Sequence, residues 1–97
     1  MRDLSKQSVQ LIDMVFFKDD RPYAIDILQQ ADIPLCEDKP DCIERVTFAA
    51  IKFSSGSIDR LRHAVALAQE DWRDLLVFSG FDRDTNSHMK WAKERLG

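Results

Sequence analysis

The sequence predicts an all-α fold: one compact bundle of five to six short helices with a single layer-on-layer core and no sheet. Apolar residues recur at spacings of three and four in every long segment, which is the helical period. No segment alternates apolar and polar residues between turn residues, as a β-hairpin would. The 97 residues, 44% of them hydrophobic, are therefore expected to form a single helical domain over positions 1–97.

The first two segments have the pattern of amphipathic helices. In the first, Val9, Ile12 and Phe16 form a predicted apolar stripe opposite polar residues. The second begins at Asp19-Asp20-Arg21-Pro22, because proline suits the first helical turn and the aspartates can accept backbone N–H groups there. It is expected to end at Ile33-Pro34. Its predicted buried residues are Tyr23, Ala24, Ile27, Leu28 and Ala31.

A third helix is predicted from Asp38-Lys39-Pro40-Asp41 through Phe53. Apolar residues occupy nearly all of its sides: Cys42, Ile43, Val46, Phe48, Ala49, Ala50, Ile51 and Phe53. A helix with no polar side is buried, so we expect this one at the centre of the bundle. Gly56 is predicted to end it, and Ser57 to cap the next helix at once.

The fourth segment carries the clearest helical pattern, with apolar residues stepping by three and four: Ile58, Leu61, Val65, Ala68 and Trp72. A fifth segment begins at Glu70-Asp71 with Asp71 as its cap. Its apolar run, Leu75-Leu76-Val77-Phe78, is expected to pack in the core. Gly80 suits the left-handed position after a helix, with Phe81 folding back onto Leu76. A last helix begins among Asp82–Asn86 and carries Met89, Ala92 and Leu96 toward the core.

Charge and composition argue against several classes of partner. The chain has 14 basic and 17 acidic residues, a net charge of −3, with no strongly basic segment that would favour nucleic acid or an anionic membrane. The polar start and the shortness of the apolar run at positions 14–17 predict neither a signal peptide nor a membrane span. We therefore expect a cytoplasmic protein, in which Cys36 and Cys42 are buried thiols and not a disulfide.

The pattern Asp82-Arg83-Asp84-Thr85-Asn86 resembles the first half of a calcium-binding EF-hand loop. Asp82, Asp84 and Asn86 would supply the first oxygens, but Ser87 stands where the loop needs glycine and Lys93 where it needs a bidentate glutamate. A helix cap rich in oxygen acceptors explains the same residues. The cysteines and histidines also lack the paired spacing of a zinc site. We predict no metal or cofactor and keep the three oxygen ligands as weak candidates.

The sequence has no clear motif for catalysis or for sequence-specific DNA binding. There is no nucleophile elbow and no glycine-rich phosphate loop, so an enzyme is unsupported. The fourth and fifth segments could form a helix-turn-helix that meets near Glu70-Asp71-Trp72-Arg73. Asp71 and Asp74 would then face the phosphates, which is the wrong sign of charge. Nucleic-acid binding stays an alternative to be tested.

Five residues in the C-terminal half are of types enriched in interaction hot spots: Trp72, Arg73, His88, Trp91 and Arg95. Trp72 continues a core stripe, whereas Trp91 is expected to be the more exposed. The sequence therefore predicts a small non-catalytic protein-interaction or regulatory domain, of adaptor, inhibitor or immunity type. Its partner is another protein or a second copy. The alternatives are a nucleic-acid-binding helix-turn-helix-like protein and a small metal-binding protein or enzyme.

Overall fold

The computed structural model describes residues 4–31, 40–81 and 87–96, and the regular secondary structure in those ranges is helical throughout. The helices, in chain order, are α1 (Lys6–Val15), α2 (Arg21–Gln30), α3 (Pro40–Ser54), α4 (Ile58–Ser79) and α5 (Ser87–Leu96). They pack around one cluster of buried apolar side chains. The predicted all-α bundle is confirmed. None of these helices is long and apolar enough to cross a membrane.

The third helix, α3, lies at the centre of the bundle and packs against α1, α4 and α5. Its residues 46–51 are all buried, because neighbouring helices cover it on several sides and leave little of it facing solvent. Thr47, the polar member of that run, donates its hydroxyl proton to the carbonyl of Ile43 at 2.7 Å. The predicted central position of this helix is confirmed.

The first two helices form a corner that is closed by Arg21. Its guanidinium donates to the carbonyl of Asp13 at 2.6 Å and to that of Phe16 at 3.2 Å, and it lies 3.8 Å from the Asp13 carboxylate. The Asp20 side chain makes no capping hydrogen bond, so the predicted capping role is wrong for that residue. Tyr23 is also exposed and not buried, because α2 turns only the line of Ala24 and Leu28 fully inward.

The turn between α3 and α4 presses against the end of α1. Gly56 has a φ of +87°, and a Cβ atom added there would lie 2.6 Å from the carbonyl oxygen of Val15. The position therefore requires glycine both for its left-handed backbone and for its close approach to another chain segment. Ser57 follows and accepts the backbone N–H of Arg60 at 3.3 Å. The predicted glycine stop and serine cap are confirmed.

The fourth helix bends at Asp71, whose φ of −153° and ψ of 95° are extended. The Asp71 carboxylate accepts the backbone N–H of Arg73 at 3.1 Å and so caps the part of the helix that follows. The sequence predicted two helices there with Asp71 as the cap, and the bend marks their junction. We call residues 72–79 the return segment.

The bend turns the return segment back along α3. A straight helix from Ile58 to Ser79 would extend about 31 Å at about 1.5 Å per residue, well past the end of the 15-residue α3. Instead, Ser79 donates its hydroxyl proton to the carbonyl of Ala49 at 3.1 Å. The return segment therefore ends beside the C-terminal half of α3.

A Schellman motif ends the return segment. Gly80 has a φ of +77°, and its N–H donates to Val77 at 3.1 Å. The N–H of Phe81 donates to the carbonyl of Leu76 at 2.9 Å, which is the pairing that defines the motif. Lys52 adds a charged donor at 2.7 Å from the carbonyl of Ser79, where a cation interacts favourably with the helix dipole. The predicted roles of Gly80 and Phe81 are confirmed.

Cys42 is disulfide-bonded, so the expectation of a free buried thiol is wrong. The chain has one other cysteine, Cys36, which lies outside the described residues. Two cysteines on either side of Pro40 are close enough in sequence for the short Cα separation that a disulfide needs. The expectation of a reducing cytoplasm had favoured free thiols.

Reduction of this disulfide is expected to lower the free energy of unfolding by about 2 kcal/mol, the loop-closure entropy of a short ring. Denaturant unfolding of the oxidised and the reduced protein measures the difference. Intact mass before and after reduction and alkylation serves as the control, since the oxidised chain takes up no alkyl group. An oxidised sample that is alkylated at both cysteines without reductant would contradict the disulfide.

Candidate interaction surface

The return segment has one face in the core and one in solvent. Leu75, Leu76 and Ser79 are buried against the bundle, whereas Val77 is 56% exposed and Phe78 is 69% exposed. The sequence predicted that the whole apolar run packs in the core, and this prediction is wrong for Val77 and Phe78. Four consecutive helical residues spread over about 300°, so a helix packed on one side of its neighbours cannot bury all of them.

Charged side chains continue the exposed face by one helical turn. Arg73 precedes Val77 by four residues, and Asp74 precedes Phe78 by four, so each pair lies along one line of the helix. Arg73 and Asp74 are both exposed, and neither forms a salt bridge within the described ranges. We call these four residues the return-segment surface.

Trp72 fixes the start of the return segment to the core. Its side chain is half-buried and packs against the apolar cluster, as the sequence predicted. The Arg73 guanidinium lies 5.6 Å from the centre of the Trp72 ring. The indole Nε1 is buried, and no acceptor is found for it among the described residues. A buried N–H without a partner lowers stability.

Trp72→Phe is therefore expected to lower the free energy of unfolding by less than about 1 kcal/mol, and an increase is also compatible with the loss of the unsatisfied donor. Phenylalanine keeps most of the packed ring and removes the unsatisfied donor, so the two effects oppose each other. Trp72→Ala provides the comparison, with an expected loss of about 3 kcal/mol or more from lost packing. Equal losses in the two variants, measured by urea unfolding, would show that the indole N–H is not an unsatisfied group.

His88, Trp91 and Arg95 lie on α5. His88 is only 3% exposed, and its ring centroid lies 5.4 Å from that of Phe48 and 6.3 Å from that of Phe81. It therefore belongs to the core and offers no surface to a partner in the folded chain. Trp91 is half-buried, and its ring centroid lies 5.7 Å from that of Phe81. The guanidinium of the exposed Arg95 lies 5.9 Å from the centre of the Trp91 ring.

The buried face of α5 differs from the predicted one at a single position. Ala92 is buried and Leu96 packs against the core, as predicted. Met89 was expected in the core and is 49% exposed, whereas its neighbour His88 is buried. Among the described residues, ring contacts join Trp91 to Phe81 and do not join it to Trp72. Of the five predicted contact residues, Arg73 lies over Trp72 and Arg95 over Trp91, while His88 is buried.

A second group of exposed apolar side chains lies at the corner between α1 and α2. Phe17 is 81% exposed, and Met14 and Tyr23 are also exposed. The sequence pattern did not identify this group, because Phe17 lies just beyond a helix end and Tyr23 was predicted to be buried. They supply matched controls for the return-segment surface.

The described residues do not test the metal and enzyme alternatives. Asp82, Asp84 and Asn86 lie outside the described residues. In the described part of the chain, no group of three or more His, Cys, Asp or Glu side chains is placed to hold a metal ion. An apolar cavity of about 10 Å³ lies between α2, α3 and α4. A cavity of this size has room for about one water molecule.

Comparison with known proteins adds no relative: no family model, no curated protein and no solved structure matches this chain.

Proposed function

We propose that this protein is a small non-catalytic interaction domain that binds a protein partner through Arg73, Asp74, Val77 and Phe78. The observation that carries this proposal is the exposure of Phe78 and Val77, two large apolar side chains side by side on one helix. Exposed apolar groups bordered by polar residues often mark protein-binding surfaces. Arginine and aromatic residues are also enriched among those that dominate binding energy.

The return segment is held firmly enough to serve as a binding element. Asp71 caps its start, and its end is fixed by the Ser79 bond to Ala49 and the Lys52 bond to the Ser79 carbonyl. Its own residues Leu75 and Leu76 are buried against the bundle. A surface that is already ordered before binding loses less conformational entropy when a partner docks.

The nucleic-acid alternative receives less support from the same surface. Its one cation, Arg73, is adjacent to the carboxylate of Asp74, and the start of the return segment is occupied by the Asp71 carboxylate. Phosphate contacts require an excess of cationic and N–H donors at the approaching helix. A gel-shift assay at low salt is expected to show no binding to duplex DNA.

The cytoplasmic location was expected from the sequence, whereas the disulfide at Cys42 favours an oxidising compartment. Disulfides persist in oxidising compartments and are rare in a reducing cytoplasm. Alkylation of the cysteines in intact cells, before lysis, decides between the two. Alkylated Cys42 supports a cytoplasmic protein, and a protected Cys42 supports an oxidising compartment.

A photoreactive amino acid at position 77 tests the binding surface directly. We expect it to form covalent adducts on irradiation in cells, and we expect Phe78→Ser in the same chain to reduce them. The same probe at Tyr23, which is similarly exposed on α2, is the matched control and should form few. Equal yields at the two positions, or none at position 77, would contradict the proposed surface.

A further inference from the structure

The core-facing stripe of α4 runs through the bend without a change of period. Residues that are buried, or that pack partly buried on the core, follow each other at steps of three and four on both sides of Asp71: Leu61, Ala64, Ala68, Trp72, Leu75 and Ser79. That spacing places all six on one side of a straight helix. Two helices that meet at a corner need no common register, so the sequence of α4 also suits one continuous amphipathic helix.

The bend depends on one residue. Within α4 the backbone is non-helical at Asp71, and the Asp71 carboxylate accepts the N–H of Arg73 at 3.1 Å. Residues 67–75 contain neither proline nor glycine, the residue types that most strongly disfavour a helix. The bend is therefore held by the Asp71 cap and by the contacts of the return segment with α3.

We infer that Asp71 is a hinge that selects between the bent monomer and a dimer in which two chains exchange the return segment and α5. In this exchanged dimer α4 is straight, about 31 Å long, and carries its last turns beyond its own α3. The return segment and α5 of each copy then pack on α3 of the other. The core of each copy is thus covered by the same segment that covers it in the monomer, and a change at the hinge is enough.

The contacts that hold the exchanged dimer are already present in the monomer. The Ser79 hydroxyl donates to the Ala49 carbonyl at 3.1 Å, and Lys52 Nζ lies 2.7 Å from the Ser79 carbonyl oxygen. The ring of His88 lies on that of Phe48, with centroids 5.4 Å apart. Each contact joins α3 to the part of the chain after the hinge, so in the dimer each forms between chains and occurs twice. The interface is therefore the bundle core and not a surface patch.

Refolding the oxidised chain from guanidinium at a series of protein concentrations tests the inference. We expect the fraction of dimer, measured by size-exclusion chromatography with light scattering, to rise with the concentration during refolding. The isolated dimer should return to monomer slowly on dilution, because exchange requires the return segment and α5 to leave the core. Non-reducing electrophoresis is the control, since a dimer linked by disulfides would not separate.

Asp71→Ala should lower the dissociation constant of the dimer about a hundredfold. The lost cap and the higher helix propensity of alanine together favour the straight helix about tenfold in each of the two chains. Asp71→Asn is the matched control. It also removes the charge, but it keeps the side-chain acceptor and a low helix propensity, so its dissociation constant should stay within about threefold of the original.

Nuclear Overhauser contacts between labelled and unlabelled chains distinguish exchange from association of surfaces. After equal amounts of isotope-labelled and unlabelled chain are refolded together, the ring protons of Phe48 in one chain of the dimer should contact those of His88 in the other. In the monomer the same contact lies within one chain. Phe78→Ser should leave the amount of dimer unchanged, because the exchange does not bury this exposed side chain.

Three results would overturn the inference. Wild type and Asp71→Ala that both stay monomeric after refolding at every concentration exclude the exchange. A dimer without the Phe48–His88 contact between chains is a surface dimer. Equal dissociation constants for Asp71→Asn and Asp71→Ala would show that the cap does not select the monomer. If Asp71→Ala does not fold, the refolded wild-type dimer and its contact between chains decide. Photo-adducts at position 77 test the proposed function independently of all these results.

Discussion

Gly56→Ala is expected to lower the free energy of unfolding by about 3 kcal/mol or more. The left-handed backbone alone costs a non-glycine residue roughly 1–2 kcal/mol. The new Cβ would also lie 2.6 Å from the Val15 carbonyl oxygen, closer than the two atoms can approach, so the α3–α4 turn must move away from α1. Because that turn orders the α3–α4 pair, a shift there disturbs the core beneath it.

Gly80→Ala is the control for this prediction. Its φ of +77° is similar, but the nearest atom to an added Cβ is the flexible Lys52 Nζ at 3.7 Å. Only the backbone cost remains, about 1 kcal/mol. Guanidinium unfolding of the two variants measures both losses. If they were equal, the contact between Gly56 and the end of α1 would be wrong.

Phe48→Ala is expected to lower the free energy of unfolding by about 3–5 kcal/mol, the usual cost of truncating a buried phenylalanine. Phe48 is fully buried on α3, and its ring lies against His88 of α5. The cavity left by the ring would therefore lie between the central helix and the last one, and we expect α5 to exchange its amide hydrogens faster than the other helices.

Phe78→Ala is the matched control, with an expected change below about 0.5 kcal/mol, because Phe78 is mostly exposed. Thermal or denaturant unfolding compares the two variants. A large loss in Phe78→Ala would mean that this side chain is part of the core and would remove the basis of the proposed surface.

Features that depend on a few neighbouring residues could be predicted from the sequence. Gly56 and Ser57 end one helix and start the next, and Gly80 with Phe81 forms a Schellman motif, because these are local backbone requirements. The central place of α3 could also be predicted, since a helix with apolar residues on nearly every side must be surrounded. In each case the residue types themselves specify the structure.

Features that depend on how the helices pack against each other could not be predicted from the sequence. The exposure of Val77 and Phe78 depends on which side of the return segment faces α3, which no local pattern specifies. The exchange of His88 for Met89 on α5 has the same cause, because neighbouring residues lie about 100° apart around a helix and the packing of the helix decides which of the two is buried. The disulfide at Cys42 depends on a spatial distance and not on composition.

The structure changes which residues are candidates for binding a partner. Of the five residues that the sequence suggested, Trp72 packs against the core and His88 lies within it, while Arg73 lies beside the exposed pair that the sequence assigned to the core. The candidate surface is thus centred on Phe78, a residue whose role depends on the bend at Asp71.

The central claim is that the exposed face of the return segment binds a protein partner, and a photoreactive amino acid at position 77 tests it most directly. We predict covalent adducts at position 77 and few at position 23. Equal yields at the two positions, or none at position 77, would contradict it.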